Sequence, residues 1–409
     1  MNIQDLRSNI SQKYSEHCEK IHHQPNKALI RELVNPSHNA PPNDEQGGNA
    51  SLDIIFRGND KLNFSSRLRD KDLIILCETL QESGEVIRHI DLSYNLITDT
   101  GAESLAQLIA NCPYLESLNL QGNDIETAGS QELANHLKEN FSLRYLNLES
   151  NKIRTNGAMN IIEVLFTNKN LIELNLGDND ITHDGMIGIT SVLNYQNNTL
   201  AVLNVDRPTY TSIGQETAIH FAKMLQSNRS IEKLSLQKHA FNCEAIYTIT
   251  EHLLENNKLR VLDLTANKIS FKGCEALAKY LCSEYCALES LILASNRTGH
   301  YGAKVIAQAL SKTRSLVHLD MTRNDIDDNG LKMIAESLET NDSLISLKLY
   351  WNHFGQMALQ EFHKLRTRPR KENWYWDFHT YIVDNHIEMA YIETRVPYDV
   401  TVSLKYYVE

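Results

Sequence analysis

The sequence is poor in the residues that mark several whole classes of protein. Seven cysteines, an odd and modest number in 409 residues, fit reduced thiols and argue against a disulfide-stapled scaffold. Glycine (17) and proline (8) are scarce, which excludes collagen-like and low-complexity chains. No run of eighteen apolar residues occurs, so no membrane-spanning helix is expected. The opening MNIQDLRSNISQKYSEHCEK has no apolar h-region, so secretion by a signal peptide is not expected. The Asn-x-Ser triplets at Asn63 and Asn140 then mean little. Cations are the minority, 40 Lys+Arg against 52 Asp+Glu, and the net charge of −12 argues against a nucleic-acid binder that relies on overall charge. There is no P-loop, no glycine-rich dinucleotide motif, no metalloprotease HExxH and no hydrolase nucleophile elbow. No catalytic, cofactor-binding or metal-binding residue is therefore expected, and no small-molecule substrate. Cys18 with His22 and His23, and Cys274 with Cys282 and Cys286, lack metal spacing; no CxxC pair exists. Cys274 falls at a small buried helix position, and Cys243 is expected at the comparable position of its own segment. Most of the sixteen histidines are expected at exposed or turn positions.

What is present instead is a repeat. Leu115, Leu118, Leu120 and Asn123 have the spacing LxxLxLxxN, which returns from Leu143 to Asn151, Leu171 to Asn179, Leu259 to Asn267, Leu288 to Asn296, Leu316 to Asn324 and Leu344 to Asn352. Ile87 to Asn95 is the same pattern with isoleucines. Two degenerate copies end at Pro208 and His239 in place of asparagine. Successive motif ends are 28, 28, 28, 29, 31, 28, 29, 28 and 28 residues apart. Between motifs the apolar spacing turns helical, as in Gly101-Ala102…Leu105-Ala106…Leu108-Ile109. Each unit thus reads as a short strand and an α-helix of about three turns. Thr98-Asp99 and Asp327-Asp328 place capping residues at helix starts. One unit cannot bury its leucines alone, so neighbours stack around a shared core, each buried Leu or Ile contributing roughly 1.5–3 kcal/mol. The motif asparagine is expected to satisfy backbone groups in the turn and the adjoining repeat. Pro208 and His239 are either an irregularity the stack tolerates or a loop belonging to a partner site.

The expected organisation is an N-terminal helical segment and linker over 1–50, a solenoid of a cap and about ten repeats over 51–365, and an aromatic-rich β module over 366–409. Leu62 and Phe64 lie one period before Ile90 and Leu92, which predicts a degenerate cap strand there, followed by a helix over Asp70–Glu82. Residues 35–48 have linker composition. Beyond Leu365 come a basic patch, Arg366 to Lys371, then Trp374-Tyr375-Trp376, a hairpin around Asp384-Asn385 and a further strand over 400–408. This module either caps the last repeat or offers an aromatic docking surface; the two are compatible.

Residues between motif leucines alternate toward the inner face of the sheet. One column reads Asp91, Asn119, Asn147, Asn175, Asn204, Ser235, Asp263, Ile292, Asp320, Lys348. Flanking columns add Tyr145, Glu149, Glu173, His318 and Tyr350, with Trp351 at the C-terminal rim. The candidate partner-binding residues are therefore Tyr145, Glu149, Glu173, Asp263, His318, Asp320, Lys348, Tyr350 and Trp351, with Trp374 and Trp376 from the tail. The partner expected is a protein; no membrane and no direct nucleic acid is expected.

The 28–29-residue unit with a full helix and its GAxxLAxxL pattern resembles the ribonuclease-inhibitor-like class of leucine-rich repeats, over roughly residues 60–365. That resemblance implies an α/β horseshoe solenoid with a concave parallel sheet and convex helices. Ribonuclease inhibitor itself is cysteine-dense, NOD-like receptors carry a nucleotide-binding domain, and the Ran GTPase-activating protein has an acidic C-terminal region; this chain departs from each. The repeat array and the tail from Tyr381 to Glu393 resemble the leucine-rich repeat-containing protein 34 family. That resemblance implies an intracellular, non-enzymatic interaction scaffold of a large assembly such as the ciliary axoneme (a radial spoke or similar), or a nuclear or nucleolar adaptor of stem or germ cells. A Ran-activator-type role would draw on Arg154 or Arg207 at strand-to-helix turns.

Overall fold

The computed structural model describes residues 3–36, 51–209, 214–366, 374–384 and 386–392. Residues 37–48 of the expected linker, most of the basic patch, Asn385 and the expected strand over 400–408 lie outside them. The architecture is an α/β solenoid. Twelve parallel strands, β1 to β12, follow one another in chain order, and a separate antiparallel pair, β13 and β14, comes last. The described residues fall into two compact units, one of 3–192 and 199–203, the other of 193–198 and 204–392.

The first unit holds β1 (Leu52–Ile55), β2 (Ile87–Asp91), β3 (Ser117–Asn119), β4 (Tyr145–Asn147) and β5 (Glu173–Asn175). Its solenoid helices are α3 (Asp70–Leu80), α4 (Asp99–Ala110), α5 (Thr127–Leu137), α6 (Arg154–Thr167) and most of α7 (His183–Tyr195). Strands β2 to β5 pair without slippage, Leu118 beside Leu146 and Leu146 beside Leu174, because each motif leucine must enter the same buried row, whereas β1 joins β2 with a register shift between Leu52 and Asp53. Helices α1 (Ile3–Lys20) and α2 (Lys27–Val34) form the cap at this end. Tyr14 is fully buried, and its hydroxyl reaches Asp72, which also meets His23 at 3.0 Å. The cap strand is β1, not the expected Leu62–Phe64 segment. Ile54 pairs with Ile90, while Leu62 and Phe64 are 65 % and 60 % exposed. The Leu62–Phe64 stretch belongs to a loop between β1 and α3, so the one-period spacing there misplaces the strand.

The second unit holds β7 (Lys233–Ser235), β8 (Val261–Asp263), β9 (Ser290–Ile292), β10 (His318–Asp320), β11 (Ser346–Lys348) and β12 (Tyr375–Trp376). Its helices are α8 (Gln215–Ser227), α9 (Cys243–Leu253), α10 (Phe271–Leu281), α11 (Gly299–Leu310), α12 (Asp328–Ser337) and α13 (Gln356–Arg366). Strand β6 (Val202–Asn204) falls at the boundary. Here the tail adds what the repeat pattern did not reveal: Trp376 pairs with Leu347 and, with Phe378, takes the place of two motif leucines. The rings of Phe362, Trp376 and Phe378 close this end, with centroids 5.1–5.3 Å apart. The hairpin of β13 (Phe378–Val383) and β14 (His386–Tyr391) turns at Asp384 as expected.

Two polar ladders bind the repeats together. The motif asparagine does what its position requires. In Asn123, Nδ2 donates to the carbonyls of Leu120 and, one repeat back, Leu92, while Oδ1 accepts from the Ile97 N–H. Asn95, Asn151, Asn179, Asn267, Asn296, Asn324 and Asn352 likewise donate to the preceding repeat. His239 is the substitute: fully buried, its Nε2 donates to Val205 O at 2.8 Å, and its ring lies against Phe221 and Phe241. A second asparagine row sits in helix-to-strand turns. Asn168, Asn228, Asn256 and Asn341 each donate to carbonyls one repeat earlier. Asn140 stands one period before Asn168, and its Oδ1 accepts the N–H groups of Ser142 and Leu143 in the same turn.

The cysteines are all free. Cys18, Cys77, Cys112 and Cys274 are buried, and burial pushes the Cys112 and Cys274 thiols up to about 12. Cys282 is exposed. Cys243 is not the buried counterpart of Cys274. It opens α9, partly exposed, with Sγ 3.0 Å from Ser270 Oγ, and Ile246 fills the buried position instead. No described helix is long and apolar enough to cross a membrane.

Candidate protein-binding face

The strand column expected to face a partner has a prior structural duty. Asp91, Asn119, Asn147, Asn175, Asn204, Asp263 and Asp320 each accept, through Oδ1, the N–H of the residue two positions on, at 2.8–3.1 Å. A short acid or amide is needed there because the strand ends after three residues and the departing N–H would lose its partner. Three members of the column lack that acceptor, and two of them are served from a neighbour. At Ser235, Asp206 accepts both the Ser235 hydroxyl and the Gln237 N–H at 2.7 Å. At Lys348, Asp377 accepts the Leu349 N–H on Oδ1 and the Tyr350 N–H on Oδ2, both at 2.9 Å. Burial pushes the Asp377 carboxyl up to about 6, against the pull of those two amides. Sequence reasoning missed Asp377. Its signal was the apolar-x-apolar step Trp376-Asp377-Phe378, which repeats Leu347-Lys348-Leu349.

In the first unit, Tyr145 and Glu173 are register partners on β4 and β5, both largely buried. Half-buried Glu149 accepts from Gln121 at 3.0 Å and Asn175 at 2.9 Å. Arg57 closes on Asp91 at 2.8 Å. In the second unit, Asp263 also accepts from Gln237 at 2.9 Å, and burial raises the carboxyls of Asp263 and Asp320. His318 is buried. Its Nδ1 is 2.7 Å from Ser346 Oγ, and burial lowers its ring to about 4. Lys348 stands half-buried between the carboxyls of Asp320 and Asp377.

The rim is different. Trp351 is 65 % exposed. Its backbone is left-handed (φ 61°), which a tryptophan adopts only under constraint. Tyr350 packs against it at 5.3 Å and against Tyr391 of the hairpin at 4.6 Å, and the Arg323 guanidinium lies 5.5 Å from the centre of the Trp351 ring. Trp374 is half-buried against Trp376 at 5.2 Å. Trp376 is 5 % exposed and serves the packing of the cap, where it cannot meet a partner directly. The structure thus brings Tyr350, Trp351, Arg323 and Tyr391 into one open aromatic cluster. Arg154 is ion-paired with Glu126 at 3.3 Å. Among the described residues no cluster of three or more His, Cys, Asp or Glu could hold a metal ion.

Six stretches, 86–106, 111–134, 139–161, 167–189, 255–278 and 313–335, match the family model described as leucine-rich repeat. Leucine-rich repeat-containing protein 34 of Mus musculus is 32% identical over 195 residues, 48% of this chain and 47% of that protein. NACHT, LRR and PYD domains-containing protein 14 of Mus musculus is 28% identical over 134 residues, 32% of this chain and 13% of that protein. The alignment therefore spans about half of the one relative and about an eighth of the other. An internalin from Listeria monocytogenes superposes with a TM-score of 0.37 at 15% identity, covering 73% of this chain and 81% of that one. The chain is a leucine-rich repeat protein of the α/β horseshoe class, resembling leucine-rich repeat-containing protein 34, and such repeats mark a protein-interaction scaffold.

Proposed function

We propose that this chain is a non-enzymatic scaffold that holds a protein partner against the strand side of its second unit, with Tyr350 and Trp351 at the centre and Trp374 at the border. The observation that carries the reading is the exposure of Trp351 on a braced, left-handed turn beside Arg323. Rigid aromatics and arginine dominate binding energy in protein interfaces, and pre-ordering them lowers the entropy lost on association. The buried carboxylates of Asp263 and Asp320 and half-buried Lys348 along the strands supply register and selectivity more than affinity. Tyr145, Glu149 and Glu173 give the first unit a polar strand face of its own.

The assembly we favour is a large intracellular one such as the ciliary axoneme, with a nuclear or nucleolar adaptor role as the alternative; both rest on the resemblance to leucine-rich repeat-containing protein 34. Substituting Trp351→Ala or Tyr350→Ala should weaken a partner recovered by tagged capture from ciliated cells by more than about 2 kcal/mol. An unchanged dissociation constant for both variants removes the rim from the proposal. Imaging of the tagged chain in the same cells decides between axoneme and nucleolus.

A further inference from the structure

We propose that the helix side of the second unit carries a separate docking groove for an acidic peptide segment with one bulky apolar anchor. Between the outward faces of α9 and α10 runs an open groove of about 650 Å³. It exists because Ala276 and Cys243 are small where a neighbouring repeat would place a larger side chain, and Tyr247, exposed on α9, forms one wall. The walls are mostly apolar, which suits a single aromatic or aliphatic side chain.

Its border is basic. Lys272 and Lys279, two turns apart on α10, share one helix face, and Lys268 precedes them in the turn from β8. None of the three ammonium groups is paired with a carboxylate among the described residues, although the whole chain has a net charge of −12. Three exposed, unpaired lysines around an apolar groove complement carboxylates flanking an apolar residue. Glu244 and Glu275 also line the groove. They leave one net positive charge, and they disfavour a dense phosphate, which selects a peptide over an anionic lipid headgroup.

The test selects short random peptides on the full chain and measures the best of them, fluorescein-labelled, by anisotropy. The expected peptides carry a bulky apolar residue between Asp or Glu residues. Their binding should weaken with added salt, and about tenfold or more in the triple variant Lys268→Glu, Lys272→Glu, Lys279→Glu, or in Tyr247→Ala. All four positions are exposed, so the variants should melt as the parent does. Trp351→Ala should leave this binding unchanged, which separates the groove from the rim. Selected peptides without acidic residues, or binding indifferent to both variants, overturns the proposal. So does the absence of any peptide binder while phosphatidylcholine–phosphatidylserine vesicles bind the parent and not the triple variant.

Discussion

The residue preceding each motif asparagine, or its substitute His239, is where individual side chains are most constrained. Tyr94, Ser150, Asp178, Lys238, Ala266, Ser295, Arg323 and Trp351 all have φ between 54° and 61°, and in one repeat alone among these Gly122 fills the position. Left-handed backbone costs an ordinary residue roughly 1–2 kcal/mol, so the asparagine ladder holds a row of strained turns. Ala266→Gly should therefore be neutral to stabilising, by up to about 1 kcal/mol in urea unfolding, although glycine loosens the unfolded chain. Asn151→Ala should cost about 1–3 kcal/mol, because it leaves the buried Ile125 N–H without its acceptor and removes one of the two asparagine donors from each of the Leu120 and Leu148 carbonyls. His239 gives a pH signature. Burial lowers its folded pKa to about 4, below the 6.5 of a free histidine, as for His318. The unfolded chain then binds the proton first, so stability is full above about pH 6.5 and falls as pH drops toward 4. Asp377, raised to about 6, works in the opposite sense between about pH 4 and 6, where the folded state holds the proton. His239→Gln should lessen the loss of stability between about pH 7 and 5 by roughly 1–2 kcal/mol relative to the parent. At this scale the motif asparagines were legible because their chemistry repeats. The left-handed positions were not, because tyrosine, serine, lysine, alanine and tryptophan share no side-chain signal there.

Among the elements, those that break the period explain themselves least in sequence. β1 precedes β2 by more than one repeat length, so counting back 28 residues from Ile90 lands in a loop. β12 joins the parallel sheet with Trp376 where a leucine stands elsewhere, Phe378 follows in the next leucine position, and Asp377 between them brings the carboxylate that caps β11. Asp377→Ala should leave the Leu349 and Tyr350 amides unpaired and cost about 2–4 kcal/mol. Hydrogen exchange should show faster exchange at those two amides and through the hairpin, with α9 and α10 unchanged. Helix starts follow a related rule: Asp328 reaches forward to the N–H groups of Gly355, Met357 and Ala358, so one repeat's acid opens the next repeat's helix. The sequence placed Asp328 at a helix start, yet its reach into α13 depends on how closely α12 and α13 pack.

For the molecule as a whole, stability is a chain of neighbour interfaces, since each repeat touches chiefly the repeats beside it. Phe362→Ala, deep in the aromatic end cap, should cost about 3–5 kcal/mol locally. Exchange should open α13 and β12 while α1, α2 and Tyr14 keep their protection. The fold class was legible because ten copies average away individual exceptions. The partner was not, since a column that satisfies its own backbone looks in sequence like one built for a ligand. The distribution of thiols has a practical consequence. Burial keeps Cys18, Cys77, Cys112 and Cys274 protonated at neutral pH, and a protonated, enclosed sulfur reacts slowly with alkylating reagents. Cys282, exposed and lining the same shallow depression as Lys279, becomes the preferred attachment point for a maleimide dye on the native chain. A fluorophore placed there would sense traffic across the outer helices with no engineered cysteine.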